Sequence, residues 1–225
     1  MSDMPSWDQR MGRFFARGLV RTPITPNHVS FASLLTAVIG TGLFAAGEQT
    51  RANWGAVLFI LGRLLDHVDG ELARLTGKTT RFGYYLDYLV GTISYVALFV
   101  CLGIGFRESL LGEWALVLGF AASASALVTT FVLIGIDRHH EGTALGYPSF
   151  AGFELQDGIY LILPITWFGW LMPFFAAASI ATCCYLLWTL WLLWQARQQD
   201  GEYQGADLDV SRISHAGESA NKQRS

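Results

Sequence analysis

The chain has 225 residues, 52% of them apolar and 14% aromatic but only 15% charged, with a mean hydropathy of +0.36. Of 33 charged residues, six lie in 1–27 and nine in 197–225, leaving 18 for the 169 residues between. A soluble domain carries about 25% charged residues and a disordered chain is poor in aromatics, so neither describes this sequence; the net charge of −3 and pI near 5.9 also exclude the basic face that nucleic-acid binding needs.

Residues 1–27 form an N-terminal segment in which Trp7, Met11, Phe14 and Leu19 recur at helical spacing, with Arg10, Arg13, Arg17 and Arg21 elsewhere around the axis. That pattern predicts an amphipathic helix lying in a membrane interface. No apolar core of signal-peptide type precedes residue 28. Charge-free runs follow at 28–47, 52–62, 88–106, 114–136 and 158–196, of 20, 11, 19, 23 and 39 residues. A spanning helix needs about 20 mainly apolar residues, so the first, third and fourth runs each supply one. The fifth supplies two, divided near Gly169 to Pro173. The second run is too short unless its helix continues through Arg63, Asp66, Asp69 and Glu71, carrying carboxylates towards the membrane. The expectation is an all-α integral membrane bundle of six transmembrane helices over 28–196, at 28–47, 52–74, 83–106, 113–136, 154–170 and 172–195. The polar residues 197–225 read as a disordered tail.

Counting Lys and Arg by loop orients the bundle. With the N-terminus cytoplasmic, that side holds 12 of them, from Arg10 to Arg21, Arg74, Lys78, Arg81, Arg138 and the tail, against Arg51 and Arg107 opposite. Both termini and the loop joining spans two and three are then cytoplasmic. Cys101, Cys183 and Cys184 fall inside spans without metal-type spacing and read as small apolar residues.

Ionisable residues inside a span are costly and mark function. The segment 63–91 reads RLLDHVDGELARLTGKTTRFGYYLDYLVG. On a helix Asp66, Asp69, Gly70 and Ala73 share one face, and Gly83 and Asp87 share a face of the next helix. Three carboxylates thus meet at one cytoplasm-facing cavity, with small residues leaving room beside them. Hard oxygen donors of this kind suit Mg²⁺, Mn²⁺ or Ca²⁺. The competing reading is a structural ion network in which Arg63 and Arg74 neutralise Asp66 and Asp69.

The stretch resembles the signature of the CDP-alcohol phosphotransferase family, D-x2-D-G-x2-A-R-x8-G-x3-D-x3-D. Asp66, Asp69, Gly70, Ala73, Arg74, Gly83 and Asp87 fill its first seven fixed positions with every gap intact. Thr25-Pro26-Asn27 before the first span also looks like this family. The resemblance implies a transferase that moves a phosphatidyl or substituted phosphate group from a CDP-linked alcohol, often CDP-diacylglycerol, to an acceptor alcohol, releasing CMP. It implies that Asp66, Asp69 and Asp87 ligate a pair of divalent cations, Mg²⁺ or Mn²⁺. It also implies that Arg74 contacts phosphate, that Gly70, Ala73 and Gly83 give the nucleotide access to the backbone, and that the protein is a homodimer among membrane lipids.

The signature's last carboxylate, the family's expected general base, is Gly91 here. Glu154 and Asp157, at the cytoplasmic start of span five, are candidates to replace it, with His139 and His140 in the preceding loop; the competing readings are that the two acids only complement the helix dipole and that polarisation by the metal suffices. His67 reads as a packing or interfacial residue. Two other readings remain open: a degenerate member that binds metal and cytidine nucleotide with little turnover, and a cation-binding membrane transport protein. The loop before span five offers only Arg138 to hold a phosphorylated acceptor, which favours an acceptor without a phosphate.

Overall fold

The computed structural model describes residues 7–139, 149–150 and 153–195, with side chains for 10–134 and 158–195. The architecture is helical: α1 (Trp7–Leu19), α2 (Pro26–Phe44), α3 (Gln49–Thr76), α4 (Arg81–Gly105), α5 (Trp114–His139), α6 (Ile162–Trp167) and α7 (Leu171–Gln195). A two-residue antiparallel pairing, β1 (Ser149–Phe150) with β2 (Phe153–Glu154), and a 3₁₀ turn over Leu155–Leu161 lie between α5 and α6. The chain divides into two compact units at Cys183/Cys184, within α7. Beyond that point α7 carries its own contacts, Tyr185 edge-on to Trp188 and the Thr189 hydroxyl donating to the Tyr185 carbonyl.

Local sequence sets the helix ends. Pro26 occupies the first position of α2, where a missing N–H costs nothing. Thr25 and His28 close a reciprocal capping box ahead of it. Helix α3 ends at Gly77, whose φ of 65° is left-handed and open to glycine at no steric penalty.

Among the described residues, α2, α4, α5 (as Trp114–Ile134) and α7 are long and apolar enough to cross a membrane. Helix α3 has the length, at 28 residues, but its C-terminal half carries the charges that lower its hydropathy. The fifth expected span is corrected. Residues 154–170 are not one helix but a 3₁₀ turn followed by the six residues of α6. A continuous α-helix through this segment would drive the ring of Pro164 into the Tyr160 carbonyl and leave that carbonyl without a donor. Gly169, with a φ of 75°, ends the segment. The structure therefore does not carry the count of six spans.

Helix α2 lies against both α3 and α4, α5 packs on α4, and α6 on α3. The contacts use small residues, as membrane helices do when they approach closely. A Cβ on Gly40 would stand 2.6 Å from the Phe59 amide and 2.8 Å from the Gly55 carbonyl. The Ser33 hydroxyl donates to the Gly62 carbonyl at 3.0 Å, pinning α2 to α3. Phe59, Leu98, Phe99, Leu102, Ile162 and Phe175 fill the main core.

Helix α1 departs from a purely interfacial helix. Ala16 is buried with Val29, Val68 and Leu72 in a second small core, and Gly12 sits directly against the backbone of His67. The aromatic side of α1, with Phe14 70% exposed, faces away from this contact and stays available to lipid.

Candidate active site

The polar half of α3 places Asp66 and Asp69 one turn apart, and both are buried. The connection to α4 is only four residues long. It is fixed at both ends, by the Lys78 amide returning to the Ala73 carbonyl and by the Thr80 hydroxyl accepting from the Gly83 amide at 3.0 Å. This short tie sets the first turns of α4 beside the end of α3 and brings in Asp87. One oxygen from each of Asp66, Asp69 and Asp87 lies within 4.8 Å of the others.

Two of these acids hold buried lone pairs with nothing to receive. Asp66 Oδ1 and Asp69 Oδ2 have no hydrogen-bond partner among the described residues. Buried carboxylate oxygens left this way are costly, and neighbouring carboxylates repel. A divalent cation resolves both costs at once, and oxygen-only donors are what Mg²⁺ and Mn²⁺ take. The three acids fit such an ion, and Asp66, Asp69 and Asp87 would hold it.

Two cavities flank the acids, each of about 220 Å³. The first is lined by Asn27, Ser30, Gly70, Ala73, Lys78 and Gly83 among others, together with Asp69 and Asp87. Its floor is open because, among the described residues, no atom lies within 4 Å of where a Cβ on Gly70 would stand. The second is strongly polar, walled by Arg63, Asp66, His67, Glu71, Arg74 and Asp87 with Gly70. Arg74 borders both cavities.

The ion pairs differ in part from those the sequence suggested. Arg63 does pair with Asp66, Nη1 to Oδ2 at 2.6 Å. Arg74 pairs instead with Glu71 at 2.5 Å, and Glu71 also accepts from Arg13 Nε of α1 at 2.8 Å. Glu71 is thus a buried carboxylate clamped between two arginines that remain partly exposed. The hydrogen bond and the charge of Glu71 hold the Arg13 guanidinium above its ordinary pKa.

Each residue expected from the motif, Asp66, Asp69, Gly70, Ala73, Arg74, Gly83 and Asp87, borders these cavities. His67, read from the sequence as a packing residue, lines the second one. Asn27, Ser30, Lys78 and Thr80 also line the first cavity; of these, Asn27 alone belongs to a sequence signal, the Thr25-Pro26-Asn27 turn. Glu154 lies in β2 and Asp157 in the 3₁₀ turn, but their side chains, with those of Arg138, His139 and His140, lie outside the described residues.

A family model described as CDP-alcohol phosphatidyltransferase matches residues 23–198. The chain is 30% identical over 197 residues to a phosphatidylinositol phosphate synthase of Mycobacterium marinum, covering 78% of this chain and 77% of that protein. Its fold is similar to the crystal structure of the Mycobacterium tuberculosis phosphatidylinositol phosphate synthase with CDP-DAG bound, with a TM-score of 0.59 at 25% identity over 81% of this chain and 94% of that one. It is equally similar to the same enzyme in complex with manganese and citrate, with a TM-score of 0.59 at 25% identity over 80% and 88% of the two chains. The chain belongs to the CDP-alcohol phosphatidyltransferase family. It is an enzyme of the phospholipid-biosynthesis type that transfers a phosphatidyl-type group from a CDP-linked alcohol to an acceptor alcohol, with a divalent cation as cofactor.

Proposed function

We propose that in this family member Asp66, Asp69 and Asp87 form the metal centre, with the CDP-linked alcohol bound across it and the acceptor alcohol in the polar cavity beside it. The observation that carries this reading is the convergence of three carboxylate oxygens within 4.8 Å, two of the acids having buried oxygens without a partner among the described residues. A divalent cation bound there supplies charge neutralisation for a diphosphate and for departing CMP.

The remaining chemistry falls to the chain. The cavity between Gly70, Ala73 and Gly83 admits the nucleotide close to the helix backbone, since none of these residues projects beyond a methyl group. The exposed guanidinium of Arg74, oriented by Glu71, donates to a diphosphate oxygen. The acceptor hydroxyl attacks the phosphorus that carries the donor alcohol, the bond from that phosphorus to the CMP oxygen breaks, and the hydroxyl proton passes to a carboxylate. Gly91 has no group to take that proton, which leaves the role to Glu154 or Asp157.

The donor on this reading is CDP-diacylglycerol, supported by the similarity to an enzyme crystallised with CDP-DAG. The acceptor is a hydroxyl compound without a phosphate, because of the two guanidinium groups lining the polar cavity Arg63 is buried on Asp66 and Arg74 is committed to the donor diphosphate. A phosphorylated polyol is the second reading, favoured by the names of the relatives. The active site and both termini face the cytoplasm, supported by the lysine and arginine distribution. Residues 1–27 serve as an interfacial segment, 28–196 as the transferase domain and 197–225 as a cytoplasmic tail, and the enzyme works as a homodimer in the bilayer.

The test incubates purified protein with CDP-diacylglycerol, Mn²⁺ or Mg²⁺ and a panel of phosphorylated and unphosphorylated alcohols, reading CMP. Asp66→Asn, Asp69→Asn and Asp87→Asn should each abolish metal-dependent CMP release. Wild-type Mn²⁺ binding in all three variants would refute the assignment.

A further inference from the structure

A buried guanidinium lies where the motif's last carboxylate is missing. A Cβ built on Gly91 of α4 would stand 3.9 Å from Arg63 Nη1 of α3, with no other atom of the described residues, outside its own helix backbone and chain neighbours, within 4 Å. The Arg63 side chain is 9% exposed. Its Nη1 is hydrogen-bonded to Asp66, and its Cζ lies 5.4 Å from the centre of the Tyr95 ring. A carboxylate partner and an aromatic face together restrain the guanidinium at this position.

We propose that Arg63 is a built-in cation of the metal centre, so that the site takes one divalent ion on Asp66, Asp69 and Asp87 and the guanidinium stands in for a second. The inference rests on the reading of these acids as the metal site.

Three observations carry it. The first is charge. Three carboxylates and one guanidinium leave a charge of −2, which one divalent cation cancels. A site with a fourth carboxylate at position 91 and no guanidinium would carry −4 and need two such ions. Exchanging a carboxylate for a guanidinium changes the charge by the amount one divalent ion contributes, so both arrangements present the same net field to a diphosphate.

The second is the division of Asp66. A carboxylate that bridges two ions uses both oxygens. Here Oδ2 is taken by Arg63 at 2.6 Å, and only Oδ1 is without a partner among the described residues. The third is spacing. Ligand oxygens at about 2.0–2.1 Å from one octahedral ion stand roughly 3–4 Å apart. The three acids, with oxygens within 4.8 Å of one another, need to close only slightly around a single ion. Two ions about 3.5–4 Å apart would need a carboxylate to bridge them, and Asp66 has one oxygen already held by Arg63.

The space at Gly91 also makes the reverse change possible. An aspartate there would meet Arg63 at ordinary contact distance and pair with it, leaving the ion count unchanged. Only removal of the guanidinium charge together with restoration of the acid should open a second metal position.

The experiment is Mn²⁺ titration of the full-length protein in detergent, without nucleotide, followed by electron paramagnetic resonance of the bound ion. Wild type and Gly91→Asp should each bind one Mn²⁺ per chain with the spectrum of an isolated ion. Gly91→Asp combined with Arg63→Gln should bind two, with the spectrum of a coupled pair. Gly91→Asp combined with Arg63→Lys, which keeps the positive charge, should return to one. Two ions in the wild type would overturn the inference while sparing the metal site, and so would a single ion in a folded Gly91→Asp/Arg63→Gln variant. No ion in the wild type would remove the metal site and the inference with it. The wild-type measurement decides even if the double variant fails to fold.

Discussion

Glu71 is the residue through which α1 reaches the active site. Its carboxylate is 2% exposed and accepts from Arg13 at 2.8 Å and Arg74 at 2.5 Å. Glu71→Gln keeps the volume and one acceptor oxygen but removes the charge and turns an amide N–H₂ towards one guanidinium. A hydrogen bond to a charged group contributes about 1.5–3 kcal/mol when shielded, and an exposed ion pair about 0–1 kcal/mol. The arginines are 45% and 63% exposed, so each arm falls at the top of the exposed range, about 1 kcal/mol. The Arg74 arm, lost from donor binding, should raise KM for the CDP-linked donor about 5-fold with kcat little changed. The Arg13 arm, lost from the docking of α1, should appear in thermal unfolding rather than in KM. Steady-state kinetics at saturating Mn²⁺ alongside melting in detergent separates the two. Arg13→Ala is the control, lowering the melting temperature while leaving donor KM in place. If Glu71→Gln left donor KM unchanged, or Arg13→Ala raised it as much, the orienting role assigned to Glu71 would be wrong.

Gly40→Ala should destabilise the protein by about 1–2 kcal/mol, since its Cβ would meet backbone atoms of α3 at 2.6 and 2.8 Å and overpacking outweighs the gain in helix propensity. Gly42→Ala, on the same helix with nothing within 4 Å, should be neutral or stabilise by up to about 1 kcal/mol; equal effects in thermal denaturation would refute the packing argument. If Glu154 or Asp157 is the base, Glu154→Gln or Asp157→Asn should lower CMP release by about 10²–10⁴-fold with Mn²⁺ binding intact. Full activity in both variants would leave polarisation by the metal as the only activation of the acceptor.

What was legible in the sequence was whatever one helix or one short loop determines. Asp66 and Asp69 share a face because they are three residues apart, and Asp87 joins them because only a four-residue connection separates α3 from α4. What was not legible depends on how one helix crosses another. The aromatic stripe of α1 suggested a helix facing lipid, whereas its docked side is Gly12 and Ala16, spaced by four and small enough to let α3 approach. Side-chain size, not hydrophobicity, decided which face is buried, as is usual between helices in a bilayer. The fifth span differs for a local reason: the charge count in 158–196 is compatible with two helices, but Pro164 removes a backbone donor and disfavours one running continuously from 154 to 170.

Arg63 and Gly91 show the same limit at the active site itself. Read along the chain, Gly91 is a missing base and Arg63 a charge inside a span, 28 positions apart and unrelated. The packing of α3 and α4 makes them neighbours, with the guanidinium facing the space a carboxylate would have entered. An uncompensated arginine in that position would be as costly as an uncompensated aspartate. Its burial is tolerated because Asp66 supplies one oxygen to it, while the other has no partner among the described residues. On the proposal made above, the departure from the motif is a change in how the centre balances its charge.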